Sequence, residues 1–302
     1  MGWNTVLLTG GTGSFGRHFI EKLLDDQAIG MVRVYSRGEH RQRALRDDLA
    51  KRRPGDTPRV SFYIGDVRDA PRLRRAMHGC DWVVHAAALK QAPLGEIEPQ
   101  EFIKTNVFGS ANVAEAAMDL RVEKALLIST DKAVEPINLY GATKMCAEKI
   151  FLAMDSMQRQ NLSDGAKSTR FACVRYGNVA MTAGSVIPAF IELDDGEPTP
   201  ICHALATRFW ITLEEATRFV LESIKAMDGG EVFIPAMRSV RIMDVAEAIR
   251  PGKPITMVGL RPGDKLHETI WSDGMSRRTS DGGDFLSIEE IREHAFQAAG
   301  TR

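Results

Sequence analysis

The first sixteen residues constrain the fold of this chain more than any other stretch. Thr5-Val6-Leu7-Leu8 is a short apolar run that passes directly into Thr9-Gly10-Gly11-Thr12-Gly13-Ser14-Phe15-Gly16, and a helical pattern continues through Leu24. A buried strand, a turn with glycine at every third position and a helix start, in that order, open a series of parallel βα units. Glycine at Gly10, Gly13 and Gly16 admits a tight turn and lets backbone amides approach a pyrophosphate. The helix N-terminus adds partial positive charge at the same place.

The units that follow keep the period. Met31 to Tyr35 is a second strand ending in Ser36-Arg37, where dinucleotide folds that take NAD usually carry an acidic residue for the ribose hydroxyls. Serine and arginine there suit a 2′-phosphate, so NADP is the expected cofactor. Arg41, Arg43, Arg46, Lys51, Arg52 and Arg53 read as the solvated face of a charged helix, with nucleic-acid binding as the sharper alternative. Val60 to Ile64 is the third strand, ending in Gly65-Asp66-Val67-Arg68-Asp69. Asp66 there is placed for the adenine end of a dinucleotide or, more plainly, as cap of the next helix. Trp82-Val83-Val84-His85 runs into Ala86-Ala87-Ala88-Leu89-Lys90, whose small residues allow close approach of a cofactor; His85 reads as a packed strand-end residue. After Pro99 one long helix is expected to carry Thr105, Asn106 and Gly109.

Ala125-Leu126-Leu127-Ile128 is a buried strand ending in Ser129-Thr130-Asp131-Lys132-Ala133, and Leu139 to Met154 reads as a helix. Tyr140 and Lys144 therefore lie one helical turn apart on one face. An ammonium beside a phenol favours phenolate, which makes tyrosine a usable base near neutral pH. Asp131 and Lys132 add a second acid/base pair at the strand's carboxyl end, the edge where open α/β sheets bind ligands. Their mutual charge favours carboxylate and ammonium, whereas catalysis with them needs acid and amine. With the strand Phe171 to Arg175, these units imply an α/β doubly wound parallel sheet, a Rossmann fold. Residues 1–175 form the expected dinucleotide-binding domain and 176–302 mainly a smaller substrate lobe, with a helix over 213–227 returning to the sheet. Ser272 to Asp284, rich in Gly, Ser, Asp and Arg, reads as a mobile stretch.

Composition narrows the partners. A chain of 302 residues, 44% hydrophobic and with a formal net charge of −1, has material for one large core and gives no electrostatic reason to bind nucleic acid or an anionic membrane. Cys80, Cys146, Cys173 and Cys202 lie far apart without CxxC spacing, so free thiols in a reducing compartment are expected and a metal site is not. With no apolar run near membrane-span length and a strand starting almost at once, a cytoplasmic protein without a signal peptide is the expectation.

Taken together, TGGTGSFG (9–16), GDVRD (65–69), HAAALKQ (85–91), TNVFG (105–109), STDKAVEPINLYGATK (129–144), RYGNV (175–179), TRFWIT (207–212) and RPGDKLHE (261–268) resemble the extended short-chain dehydrogenase/reductase superfamily. More narrowly the chain is similar to inverting UDP-N-acetylglucosamine 4,6-dehydratases, and Tyr140 separates it from relatives with methionine there. The resemblance implies an enzyme that oxidises C4 of a UDP-sugar, eliminates water across C5 and C6, and returns hydride to C6. It implies Thr130, Tyr140 and Lys144 at the 4-hydroxyl and Asp131 and Lys132 in the elimination. NADP would be held by Gly10, Thr12, Gly13, Ser14, Phe15, Gly16, Ser36, Arg37, Asp66, Val67, Ala86, Ala87, Ala88 and Asn106, with Tyr140 and Lys144. Lys90, Asn178, Ser185, Val186, Arg208, Arg261 and Asp264 would hold the UDP-sugar, arginine suiting phosphate by its paired donors. Helices around Pro99–Leu120 and Tyr140–Met154 would pair between subunits of a homo-oligomer. The chain departs from the family at Met181-Thr182-Ala183 and at Cys202-His203-Ala204-Leu205-Ala206, which leaves the exact sugar open. Two other classes share much of this pattern: a nucleotide-sugar 4-epimerase, which has no use for Asp131 and Lys132 at C5 and C6, and a non-catalytic NADP-binding regulator.

Overall fold

The computed structural model describes residues 4–161, 168–182 and 185–299. In its first half strands and helices alternate: β1 (Asn4–Thr9), α1 (Ser14–Asp25), β2 (Ile29–Ser36), α2 (Glu39–Arg52), β3 (Val60–Ile64), α3 (Ala70–Met77) and β4 (Trp82–His85). Then come α4 (Ala92–Ile97), α5 (Pro99–Phe102), α6 (Gly109–Asp119), β5 (Lys124–Thr130), α7 (Leu139–Asn161) and β6 (Arg170–Tyr176). The second half holds β7 (Asn178–Val179), α8 (Val186–Ile191), β8 (Thr199–Ile201), β9 (Thr207–Ile211), α9 (Leu213–Ala226) and β10 (Val232–Phe233). It ends with β11 (Arg238–Arg241), α10 (Ile242–Ile249), β12 (Ile255–Met257), β13 (Thr269–Ser272), β14 (Arg277–Thr279) and α11 (Ile288–Ala299).

Seven strands form one parallel sheet in the order β10-β6-β5-β4-β1-β2-β3. Both of its faces are covered, which is why its strands are apolar without alternation. Val6 and Leu8 join the core on one face with Phe19, Leu23, Val220 and Ile224, while Leu7 joins Leu73, Val113, Ala117 and Phe151 on the other. The strand order reverses between β1 and β4, placing a ligand crevice at their carboxyl ends. Beyond Tyr176 two elements go back to this sheet. α9 lies against α1, where Glu214 pairs with His18 (3.0 Å) and Lys22 (2.7 Å), and β10 pairs with β6. Thr212 starts α9 with a reciprocal cap: its hydroxyl accepts from the Glu215 amide at 3.2 Å while the Glu215 carboxylate accepts from the Thr212 amide at 2.8 Å.

The remaining elements form a smaller lobe with its own core around Ile187, Phe190, Trp210, Val240, Val245 and Ile291. TRFWIT is its central strand, β9, between β7 and β11. Buried Arg250 holds this lobe's loop, donating to the carbonyls of Leu193 (2.8 Å), Asp194 (2.8 Å) and Glu197 (2.7 Å). Within the stretch from Ser272 to Asp284, β13 and β14 pair as a hairpin, Asp273 turning the chain by accepting from the Met275 and Ser276 amides. One expectation is corrected: the helix after Pro99 is not continuous, because Ile103–Phe108 winds as a π-helical segment between α5 and α6.

Candidate active site

The glycine turn lies at the carboxyl end of β1. Gly10 has φ +71°, and a Cβ there would meet the Ala87 amide nitrogen at 2.8 Å, so only glycine lets the turn pass so close to the strand-end loop of β4. α1 then begins at Gly13 with no side-chain cap and no acidic residue in its first turn. That donor set, amides at a positive helix end, fits a pyrophosphate. Phe15 stacks on Phe19 and Tyr176 at its base.

His85 is fully buried and links the surrounding loops. Its Nδ1 bonds Thr9 Oγ1 at 2.7 Å and its Nε2 bonds Ser110 Oγ at 3.0 Å, while Thr9 Oγ1 also accepts from the Ala87 amide at 3.2 Å. Burial, with Lys144 adding to it, brings the imidazole pKa down to about 3, so this histidine is neutral and structural, as its strand-end position suggested. Asn106 lies within the π-helical segment. Its amide bonds both backbone groups of Leu89 at 2.8 Å and donates to Thr143 Oγ1 at 3.0 Å, tying the loop after β4 to α7. Fully buried and engaged in this way, Asn106 shapes the cofactor-side loop from behind.

At the end of β2, Ser36 is buried and its hydroxyl accepts from Gln42, while Arg37 is largely exposed, 3.7 Å from Asp66. Asp66 does not cap α3; Asp69 does, accepting from the Arg72 amide at 3.0 Å. Asp66 instead takes three bonds from Arg68, and although burial works against its charge, Arg68 and Arg37 together hold its carboxyl below the usual range. Val67 is buried beneath it, and Ala86, Ala87 and Ala88 line the neighbouring strand end half-buried.

The carboxyl end of β5 turns at once through a single 3₁₀ turn, Asp131–Ala133. Thr130 begins it, its hydroxyl accepting from the Lys132 amide (3.4 Å) and donating to Asp131 Oδ1 (2.9 Å). α7 packs directly on this turn: a Cβ on Gly141 would collide with the Lys132 carbonyl, so glycine lets the two approach. Lys132 Nζ lies 3.1 Å from Asp131 Oδ1, 3.4 Å from Asn178 Oδ1 and 3.2 Å from Glu268 Oε1. Asp131 and Glu268 are both buried; among the described residues Asp131 Oδ2 and Glu268 Oε2 have no hydrogen-bond partner. Burial disfavours the Lys132 ammonium, but Asp131 and Glu268 outweigh it and hold its pKa above the ordinary lysine value. Lys132 is thus an ammonium in this state. Glu268 is the group that motif reading passed over; its only signal was its place at the end of RPGDKLHE.

Tyr140 and Lys144 sit on the face of α7 toward this turn, and their electrostatics differ from the expectation. Burial raises the Tyr140 phenol, and what opposes that is Lys132 and a hydrogen bond with Thr130. Lys144 is buried deeper, beside His85, Glu148 and Cys173; burial lowers its pKa to about 8, with Glu148 and Cys173 acting the other way. Glu148 in turn is clamped by Arg175 through bonds of 2.8 and 2.6 Å.

The expected sugar-nucleotide residues fall into an inner and an outer set. Asn178 and Arg208 are inner: Asn178 reaches Lys132, and Arg208 is buried, donating to the carbonyls of Thr207 (2.6 Å) and Leu266 (3.1 Å) with Nε 3.8 Å from Glu268. Arg261 is outer, two-thirds exposed and paired with Asp264 at 2.8 Å. Lys90 is exposed, and Ser185 and Val186 start α8 half-buried, Ser185 Oγ lacking a partner among the described residues. The loop 261–265 is fastened to the turn after β5, Asn138 donating to the Gly263 carbonyl (2.8 Å) and Lys265 to that of Val134 (2.7 Å). Of the two departures from the family pattern, Ala183 lies outside the described residues. Cys202–Ala206 forms the loop into β9, with Leu205 exposed.

The family model described as polysaccharide biosynthesis protein matches residues 6–290. An inverting UDP-N-acetylglucosamine 4,6-dehydratase of Campylobacter jejuni is 41% identical over 94% of this chain and 82% of its own. A UDP-glucose 4-epimerase of Rickettsia canadensis is 36% identical with the same coverage. Among solved structures, Pen from Bacillus thuringiensis superposes with TM-score 0.87 at 30% identity over 97% of both chains. The dTDP-glucose 4,6-dehydratase DesIV from Streptomyces venezuelae, with 22% identity and TM-score 0.80 over 99% of this chain and 98% of that one, shares the fold. The chain belongs to the polysaccharide biosynthesis protein family, built on the extended short-chain dehydrogenase/reductase fold.

Proposed function

We propose that this protein is a C5-inverting UDP-N-acetylglucosamine 4,6-dehydratase that uses NADP. The observation that carries the reading is the Asp131–Lys132 pair at the carboxyl end of β5, on the turn against which Tyr140 packs. Oxidation at C4 alone needs Tyr140 and Lys144; a second acid/base pair beside them is what removal of water across C5 and C6 requires. The 41% identity to an enzyme of that name supports the same substrate class. When bound, NADP supplies the acceptor for hydride leaving C4 and the donor of hydride to C6.

The protein's own residues do the rest. Tyr140 takes the proton of the C4 hydroxyl, with Thr130 fixing the phenol. The ketone at C4 makes the C5 hydrogen acidic; Lys132 removes it as an amine, and Asp131 gives a proton to the C6 hydroxyl, which leaves as water. A proton drawn from solvent and delivered to the opposite face of C5 completes the inversion. Arg261, two-thirds exposed, would exchange Asp264 for a diphosphate, and Lys90, Ser185 and Val186 would serve the same UDP-sugar. Ser36 and Arg37 support NADP over NAD. Leu94, Ile97, Ile103 and Phe108, exposed along α4 and the π-helical segment, support assembly into a homo-oligomer. No helix among the described residues is long and apolar enough to cross a membrane, and a cytoplasmic setting suits the four free cysteines.

The Rickettsia relative named as a UDP-glucose 4-epimerase favours a second reading, 4-epimerisation. Incubation with UDP-N-acetylglucosamine and mass spectrometry separates the two. Loss of one water is expected; unchanged mass with altered configuration at C4 would replace the dehydratase by the epimerase.

A further inference from the structure

Lys132 enters the proposed reaction as an amine, yet in this structure it is an ammonium between two buried carboxyl groups, those of Asp131 and Glu268. Before it can take hydrogen from C5 it has to lose a proton, and the acceptor must be close and unprotonated. The Lys132 side chain is 25% exposed, but the two carboxyl groups within reach of its Nζ are buried and stand closest to it.

Asp131 is one neighbour, but to act as the acid for the C6 hydroxyl it must already carry the proton it gives up, so it cannot also take the one from Lys132; its Oδ1 carries two hydrogen bonds, from Thr130 and from Lys132. Glu268 is the other. It is 2% exposed, its Oε1 is 3.2 Å from Lys132 Nζ, and its Oε2 has no partner among the described residues. Its backbone is pinned on both sides of the peptide plane: the Glu268 amide donates to Ser280 Oγ at 2.9 Å, and its carbonyl accepts from the Ser280 amide at 2.8 Å. A carboxylate so held has little freedom to leave Lys132. The other charges facing the pair are Asp131, Arg208, Tyr140 and Lys265. Arg208, 3.8 Å from Glu268, and Lys265 offset negative charge in the cluster. Moving a proton from Lys132 to Glu268 leaves the cluster's net charge unchanged, which is what makes such a transfer feasible in a buried site.

We propose that Glu268 positions Lys132 and accepts the proton that Lys132 must lose before its amine can act at C5. An N–H bond of Lys132 breaks as an O–H bond forms on Glu268 Oε1; the ammonium becomes an amine and the carboxylate a carboxylic acid. The amine's lone pair then forms a new N–H bond with the C5 hydrogen, the C–H electron pair staying on the sugar. Glu268 acts only through Lys132 and needs no contact with the sugar.

This rests on the dehydratase reading, and the test separates the two. Glu268→Gln keeps size and one acceptor oxygen but cannot take the proton; Glu268→Asp keeps the carboxylate on a shorter arm. For wild type and both variants one would measure NADP and UDP binding, the transient reduced-nicotinamide absorbance that reports C4 oxidation, and water loss with deuterium uptake at C5 in heavy water. Glu268→Gln is expected to bind both ligands and to oxidise C4, while water loss falls about a hundred-fold. With no internal acceptor its residual rate should climb with hydroxide, about tenfold per pH unit between pH 7 and 9, while the wild type does not. Glu268→Asp should recover most of the rate and the wild-type profile. A Glu268→Gln enzyme that dehydrates within about threefold of wild type with an unchanged pH profile overturns the proposal. So does loss of NADP and UDP binding in both variants, which would make Glu268 a structural residue only. A wild type that removes no water sinks the dehydratase reading itself.

Discussion

At the scale of single residues, Arg37 is the side chain that tests the proposed preference for NADP over NAD. It follows β2 directly, is more than half exposed and lies 3.7 Å from Asp66, a distance loose enough for a 2′-phosphate to compete. Arg37→Ala should therefore weaken NADP roughly ten- to hundred-fold, as loss of a charged hydrogen bond of about 1.5–3 kcal/mol predicts, and leave NAD nearly unchanged. Parallel titrations of the two dinucleotides read this directly; equal weakening of both would assign Arg37 to the Asp66–Arg68 network instead. That position was legible in the sequence, because strand, turn and side chain are contiguous. The state of Lys132 was not. Its neighbour Asp131 is adjacent in the chain, but the second carboxylate that holds the ammonium arrives from the small lobe.

At the scale of elements, α7 carries the pair that any reader of the sequence would mark, and its spacing placed Tyr140 and Lys144 correctly on one face. What the spacing could not show is which charge each one feels. Tyr140 is served by Lys132, whereas Lys144 faces Glu148 one turn further along, and Glu148 is held by Arg175 of β6. Between about pH 8 and 10.5 the unfolded chain keeps a proton that folded Lys144 has released, so this residue adds stability as pH rises through that window. Glu148 raises the Lys144 pKa, so Glu148→Gln should lower it below about 8 and move the alkaline limb of C4 oxidation to lower pH. The same change leaves Arg175 without its carboxylate, and breaking a largely buried pair costs about 3 kcal/mol. A lowered Tm with an alkaline limb displaced downward is the expected outcome; a lowered Tm with an unmoved limb would confine the pair to stability. The π-helical segment is a second lesson at this scale. Thr105-Asn106-Val107-Phe108 looks like ordinary helix, yet it winds as a π-helix where Asn106 bonds Leu89 and Thr143.

For the whole molecule, the exposed apolar residues of α4 and the π-helical segment make assembly the property to measure. Ile97 and Phe108 are 73% and 59% exposed beside Leu94 and Ile103, an apolar grouping that favours burial against a second copy. Sedimentation at micromolar concentration is expected to show a homo-oligomer, and Phe108→Lys to shift it toward monomer while NADP binding stays intact. A wild type that sediments as a monomer ends this reading.

The sequence by itself determined the parallel sheet, the glycine turn, the Thr-Asp-Lys strand end and the Tyr-Lys helix face, since each is specified by residues within about one turn or one strand of each other. Tertiary structure alone decided that β10 closes the sheet from beyond the small lobe, that Asp69 and not Asp66 caps α3, and that Asn106 is engaged behind the cofactor loop. It also decided that Lys132 lies between Asp131 and Glu268. The physical reason is common to all four. Periodicity and turn chemistry report which groups a residue meets along its own element, whereas burial, charge pairing and hydrogen-bond satisfaction depend on what packs against it from elsewhere in the chain.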